Sequence, residues 1–180
     1  MSTARHYAPH YTIDDYATWE GDWELWDGIA IAMSPGPFGR HQTVVRNLLV
    51  QLCNELRRRG CHAEAIHEMD WIIRRDTVVR PDLVVLCGPV PERHLETPPA
   101  MVIEVLSEAT RERYRTYKRL LYEQQGVAVY LMVDPDTEMI ELLTRSESGK
   151  LQPSPVGLTI EINICDECHL QLSASEIFKR

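Results

Sequence analysis

The chain has 180 residues, with 27 acidic against 19 basic side chains, a formal net charge of −8, and 44% hydrophobic and 26% charged residues. Those figures predict one domain over residues 1–180 with a single sizeable core, and exclude a chain that is disordered throughout, collagenous or a coiled coil. The acidic surplus also argues against broad electrostatic capture of nucleic acid, which needs Lys and Arg to neutralise phosphates, but leaves room for a local basic strip.

At the N-terminus, Met1 to His6 lead into no apolar signal core, and no run approaches the roughly 18 apolar residues of a membrane span. A cytoplasmic protein without membrane contact is expected. Trp23-Glu24-Leu25-Trp26 and Ile29-Ala30-Ile31-Ala32-Met33 flank Asp27-Gly28, a dipeptide suited to the positive φ angles of a tight turn, and predict an opening β-hairpin. The turn-prone Ser34 to Gly39 follows. Val44, Leu48, Leu52 and Leu56 then recur at every fourth position with Val45, Leu49 and Cys53 beside them, the stripe of an amphipathic helix. Arg57-Arg58-Arg59-Gly60 places cations at the negative end of its dipole and a glycine stop.

Beyond the helix the pattern shortens to β runs, Ala63 to His67, Met69 to Arg74 and Val78 to Leu86, with Asp76-Thr77 at a turn and antiparallel pairing expected. Pro89, Pro91, Pro98 and Pro99 punctuate a loop. Met101 to Leu106 is almost wholly apolar, as in a strand covered on both faces. Ser107 or Thr110 caps the next helix, which carries Tyr114, Tyr117, Leu120 and Leu121 and stops at Gly126. Val127 to Val133 reads as a second buried strand, turned by Asp134-Pro135-Asp136-Thr137 into Glu138 to Leu143. The remainder reads as irregular tail strands and a short helix near Ser175 to Phe178. This order predicts an α/β fold, a mixed sheet with helices against it.

The five cysteines are Cys53, Cys61, Cys87, Cys165 and Cys168. An odd number without an export signal is read as reduced thiols. Cys165-Asp166-Glu167-Cys168-His169 matches the string for covalent haem attachment, which requires export, and resembles half a zinc site. A second such pair is missing, although Cys61-His62 would complete one.

Two carboxylates break apolar β runs. Glu104, inside Met101 to Leu106, requires a partner, because an unpaired buried carboxylate costs several kcal/mol or takes up a proton. Asp82 follows Pro81 and opens Leu83-Val84-Val85-Leu86. Oxygen ligands of this kind suit Mg²⁺ or Mn²⁺ better than zinc. The alternative is structural, with Glu104 in a buried pair with Arg or Lys and Asp82 capping a turn. Lys118 shares a helix face with Tyr114 and Tyr122. On its own it reads as solvated; with Asp82 and Glu104 it completes a set for phosphodiester hydrolysis.

Arg80-Pro81-Asp82-Leu83-Val84-Val85, Glu104-Val105-Leu106-Ser107, Lys118 to Tyr122, Gly126-Val127 and Tyr130 to Pro135 together resemble the Uma2 family of the PD-(D/E)XK nuclease superfamily, once known only as a domain of unknown function. Glu24 to Gly28 and Met33-Ser34-Pro35 resemble its opening, and the likeness spans roughly residues 20 to 145. The resemblance implies a restriction-endonuclease-like core with an N-terminal β-hairpin. It also implies a divalent metal held by Asp82, Glu104 and the Val105 carbonyl, Lys118 as catalytic lysine, and DNA as the substrate of an endonuclease.

Three positions depart from the family pattern. The superfamily's lysine, two residues after the acid, falls on Leu106, so Lys118 must replace it from the helix. Tyr114 and Ile29 stand where acidic residues are frequent. A catalytically degenerate protein that binds nucleic acid or a protein partner is therefore the competing expectation. His41, Arg111 and Arg115 are candidate phosphate contacts, in a segment that also holds Arg113 and Arg119. The alternatives are an exposed histidine and arginines paired with neighbours such as Glu112 and Glu123. Glu68 is either a further metal ligand or a solvated edge carboxylate. Many nucleases of this type pair to cut two strands, so a homodimer is compatible, but no interface stripe marks one.

Overall fold

Asp27 and Gly28 both take left-handed backbone angles, φ 47° and 81°, as a two-residue hairpin turn requires, and join strand β1 (Trp23–Trp26) to β2 (Ile29–Ala32). The hairpin belongs to a computed structural model that describes residues 9–33, 39–108 and 111–180. Met1 to His6, the turn over Ser34 to Phe38 and the candidate cap Thr110 lie outside the described residues. A single helical turn, α1 (Ile13–Tyr16), precedes the hairpin.

The leucine stripe forms α2 (Gly39–Arg59), which buries Val44, Leu48, Leu52 and Leu56. After Gly60 come β3 (Ala63–His67), β4 (Trp71–Arg74), β5 (Thr77–Val79) and β6 (Leu83–Cys87). The run Val78 to Leu86, expected as one strand, is thus two strands in different sheets. Pro81 lacks a donor for a ladder, and the Arg80 N–H is taken by the Glu24 side chain at 2.6 Å, so the chain leaves one sheet there and enters the other.

The central strand β7 (Met101–Val105) is buried along its whole length. It is followed by a helix over 111–125, made of α3 (Arg111–Arg113), a π-helical turn over Tyr114–Lys118 and α4 (Arg119–Gln125). Gly126 ends it in the left-handed conformation (φ 87°). Strands β8 (Val129–Asp134), β9 (Met139–Arg145) and β10 (Leu151–Ser154) follow. The expected irregular tail is instead a regular hairpin, β11 (Thr159–Ile164) and β12 (Cys168–Ser173), before α5 (Ala174–Ile177). In β11, burial alternates residue by residue, with Ile160, Ile162 and Ile164 facing inward.

The strands form a sheet β2-β1-β5-β4, a six-stranded sheet β10-β9-β8-β7-β6-β3 and the β11-β12 pair. Within the six-stranded sheet only β7 and β8 run parallel, joined by the 111–125 helix as crossover. Alternation along β7 divides the core. Met101, Ile103 and Val105 face α2 and the β11-β12 hairpin, whereas Val102 and Leu106 face the 111–125 helix and the smaller sheet. Glu104 shares that second face. Among the described residues no helix is long and apolar enough to cross a membrane.

Four cysteines depart from the reduced state expected of them. Cys61 is bonded to Cys168 and Cys87 to Cys165, leaving Cys53 free. The hairpin turn lies against the adjacent ends of β3 and β6, a proximity invisible in linear spacing. Packing of α2 between that hairpin and the large sheet predicts that Leu52→Ala destabilises the fold by about 2–5 kcal/mol, read from urea unfolding monitored by circular dichroism.

Candidate functional site

Glu104 is completely buried, and its Oε1 accepts hydrogen bonds from Lys118 Nζ at 2.9 Å and Tyr122 Oη at 2.7 Å. Its Oε2 is buried without a hydrogen-bond partner. Burial pushes the Glu104 carboxyl up to about 8, against the pull of the Lys118 ammonium, with Asp82 and Glu24 adding to the rise.

Lys118 is equally buried. Its ammonium lies 2.8 Å from Glu24 Oε1 and 2.9 Å from Glu104 Oε1, and 4.3 Å from the centre of the Tyr114 ring. Burial opposes its charge, but the carboxylates of Glu104 and Glu24 outweigh it and hold Lys118 well above its ordinary value. The reading of a solvated lysine is therefore corrected. Tyr114, Lys118, Leu121 and Tyr122 form one buried face at helical spacing across the π-helical turn Tyr114–Lys118, while Leu120, apolar and counted with the packing side chains of this helix, lies off that face and points to solvent. Tyr117 packs by stacking on Trp26.

Asp82 stands just before β6, and its Oδ2 accepts the Val105 N–H at 2.7 Å, which fixes it beside the Glu104-Val105 peptide. His41, near the start of α2, donates from Nε2 to the Val105 carbonyl at 3.0 Å and lies 3.5 Å from Asp82 Oδ1. It is mostly buried rather than an exposed helix-end residue, and its Nδ1 has no hydrogen-bond partner. Burial disfavours its charge, but Asp82 and the Val105 carbonyl prevail and raise its pKa.

Glu24 was not singled out by the sequence reading. It is buried, accepting from Trp26 Nε1 at 3.0 Å and the Arg80 N–H at 2.6 Å besides its contact with Lys118. Its signal was the one that exposed Glu104, a charge within a short apolar strand. Arg111 pairs with Asp134 at 2.8 Å and Arg115 with Glu141, so both arginines are engaged by carboxylates, though not those of Glu112 and Glu123. Glu68 is exposed, and its N–H donates to the Asp82 carbonyl. His169 bonds to Asn163.

The donor set fits a hard cation. Asp82 Oδ1, the Val105 carbonyl and the orphaned Glu104 Oε2 are oxygen atoms on adjoining backbone, and a buried carboxylate oxygen without a donor calls for positive charge. Among the described residues, no three His, Cys, Asp or Glu side chains already converge as a cage.

Comparison with known proteins identifies the family and the fold. The Uma2 model, described as "Putative restriction endonuclease", matches residues 13–175. A crystal structure of a "putative nuclease belonging to DUF820" from Anabaena variabilis superposes with a TM-score of 0.73 at 18% identity, over 93% of this chain and 97% of the other. No curated protein matches.

Two outcomes are expected of the buried pair. Lys118→Met strands two carboxylates and destabilises the protein by about 3–5 kcal/mol, and adding Glu24→Gln recovers part of the loss in a double-mutant cycle of chemical denaturation. Because the folded-state pKa of Glu104 is raised to about 8, its contribution to stability is present at acid pH and lost as pH rises through that value. His41, also raised, acts in the same direction. In chelator, the melting temperature should fall between about pH 5 and 9, and fall less in Glu104→Gln.

Proposed function

Because the chain belongs to the Uma2 family, we propose that it is a divalent-metal-dependent endonuclease acting on DNA phosphodiester bonds, with residues 1–180 as one domain. The observation that carries this reading is the buried, half-satisfied Glu104 carboxylate, held by Lys118 beside an Asp82 that is itself fixed by the Val105 N–H. Asp82, Glu104 and the Val105 carbonyl would hold Mg²⁺ or Mn²⁺. That ion supplies an acidified water and neutralises phosphate charge.

The protein's own groups divide the remaining work. The Val105 N–H orients Asp82 so that Oδ1 stays free of backbone donors. Tyr122 and Lys118 both engage Glu104 Oε1, which leaves the buried Oε2 as the unspent ligand atom. Lys118 favours the ionised form of Glu104 against the larger effect of burial, and stands beside the site as the family's lysine. His41 is placed at the same carbonyl and carboxylate, where an imidazole N–H can meet a phosphate oxygen. Engagement of Arg111 and Arg115 by Asp134 and Glu141 means that contact with a DNA backbone would exchange those pairs. A homodimer would bring two such sites to opposite strands.

A specific feature supports a second reading, a degenerate nuclease fold that binds nucleic acid or protein. Lys118 is already committed to two carboxylates and a tyrosine face, with no exposure to solvent. Plasmid and single-stranded DNA cleavage with Mg²⁺ or Mn²⁺ separates the two. For the nuclease, the near-isosteric Asp82→Asn and Glu104→Gln each lower the rate by about a hundredfold or more while melting cooperatively. Activity unchanged in both, or absent from the wild type with either ion, assigns the protein to the second reading.

A further inference from the structure

At the opposite end of β6 from Asp82, four of the five cysteines meet at one corner. Antiparallel pairing sets Ala63 opposite Cys87, and the Gly88 N–H donates to the His62 carbonyl at 3.0 Å, so Cys61 and Cys87 sit on adjoining chain ends. Cys165 and Cys168 bracket the turn of the β11-β12 hairpin. That turn is tight: Cys165 and Asp166 are left-handed, φ 50° and 58°, and the Glu167 N–H returns to the Cys165 carbonyl at 2.6 Å. The disulfides Cys61–Cys168 and Cys87–Cys165, each with Cα atoms 5.5 Å apart, therefore join the same two pieces of chain twice.

A second bridge between segments already joined closes only a small extra loop, so it restricts the unfolded chain little beyond the first. Four thiolates around one ion use every sulfur. A C-x₂-C pair on a tight hairpin turn, completed by two cysteines from neighbouring strand ends, is the donor set and spacing of a tetrahedral structural zinc site. We propose that, when reduced, Cys61, Cys87, Cys165 and Cys168 bind one Zn²⁺ and so fasten the C-terminal hairpin to the ends of α2, β3 and β6.

The chemistry balances with a dithiol as reductant. Each disulfide takes two electrons and two protons, giving four thiols and two oxidised dithiols; one Zn²⁺ then displaces four protons to form a tetrathiolate of charge −2. In the oxidised protein the sulfurs are bonded to one another and form no cage. His169 stays outside the set through its bond to Asn163, and Cys53 is not part of it.

The full chain, reduced with a non-chelating phosphine and freed of metal, is titrated with Zn²⁺ and separately with Co²⁺. The expected result is one equivalent bound through sulfur, protection of four of the five thiols from a thiol reagent, and the visible bands and sulfur-to-cobalt charge transfer of a tetrathiolate, with excess Mg²⁺ present to occupy the carboxylate site. Cys53→Ser leaves binding unchanged and lowers the thiol count by one; Cys165→Ser weakens it by about a hundredfold or more. Equal reactivity of all five thiols with and without zinc in the wild type, or disulfides that resist reduction in the folded protein, would overturn the proposal without recourse to any variant.

Discussion

The Lys118 ammonium, buried between Glu24 and Glu104, is the constraint on which the rest of the site depends. Each carboxylate comes from a different sheet, Glu24 from β1 of the smaller one and Glu104 from β7 of the larger, while the ammonium comes from the crossover helix. One cation thus ties three elements, and their relative placement cannot drift without exposing or stranding a charge. Such a triad is poor as a source of net stability, because desolvation consumes most of the attraction. Its value lies in position: it fixes which oxygen of Glu104 is spent and which remains available.

Neighbouring contacts reinforce the same geometry. Trp26 donates to Glu24 on one side and stacks on Tyr117 on the other, and the Tyr117 hydroxyl reaches back to Asp27 at 3.0 Å, so the hairpin and helix are joined by apolar and polar contacts together. The Tyr130 hydroxyl donates to the Tyr114 carbonyl within the π-helical turn. A widened turn leaves backbone groups out of register with the usual i to i−4 ladder, and a side-chain donor from β8 engages one of them. Tyr114 presents its ring to the Lys118 ammonium, an electrostatic contact that adds no net charge to the site.

Much of this arrangement was legible in the sequence where local chemistry decides the outcome. Asp27-Gly28 specified a hairpin turn, the leucine stripe specified α2, and a carboxylate inside Met101 to Leu106 specified a buried partner. The split between β5 and β6 was foreshadowed by Pro81 but concealed by the apolar residues on either side of it. Four-residue spacing put Tyr114, Lys118 and Tyr122 on one face correctly, and Leu120 misled because its apolar side chain lies off that face. Nothing local pairs Cys61 with Cys168 across 107 residues, and the contact of Glu24 with Lys118 is likewise purely tertiary.

Alternation along β7 explains how a nearly apolar strand carries a charged centre without losing its core. Ile103 and Val105 send their side chains towards α2, while the Val105 backbone N–H, which only proline would remove, and its carbonyl, which no substitution removes, face Asp82 and His41. The strand therefore contributes one side chain and two main-chain groups to the site, and packing holds those main-chain groups in place. A net charge of −8 is compatible with a phosphate-facing function on these terms. Part of the acidity is concentrated in Glu24, Asp82 and Glu104, around one internal lysine, and a bound cation would add positive charge where a phosphate meets the site.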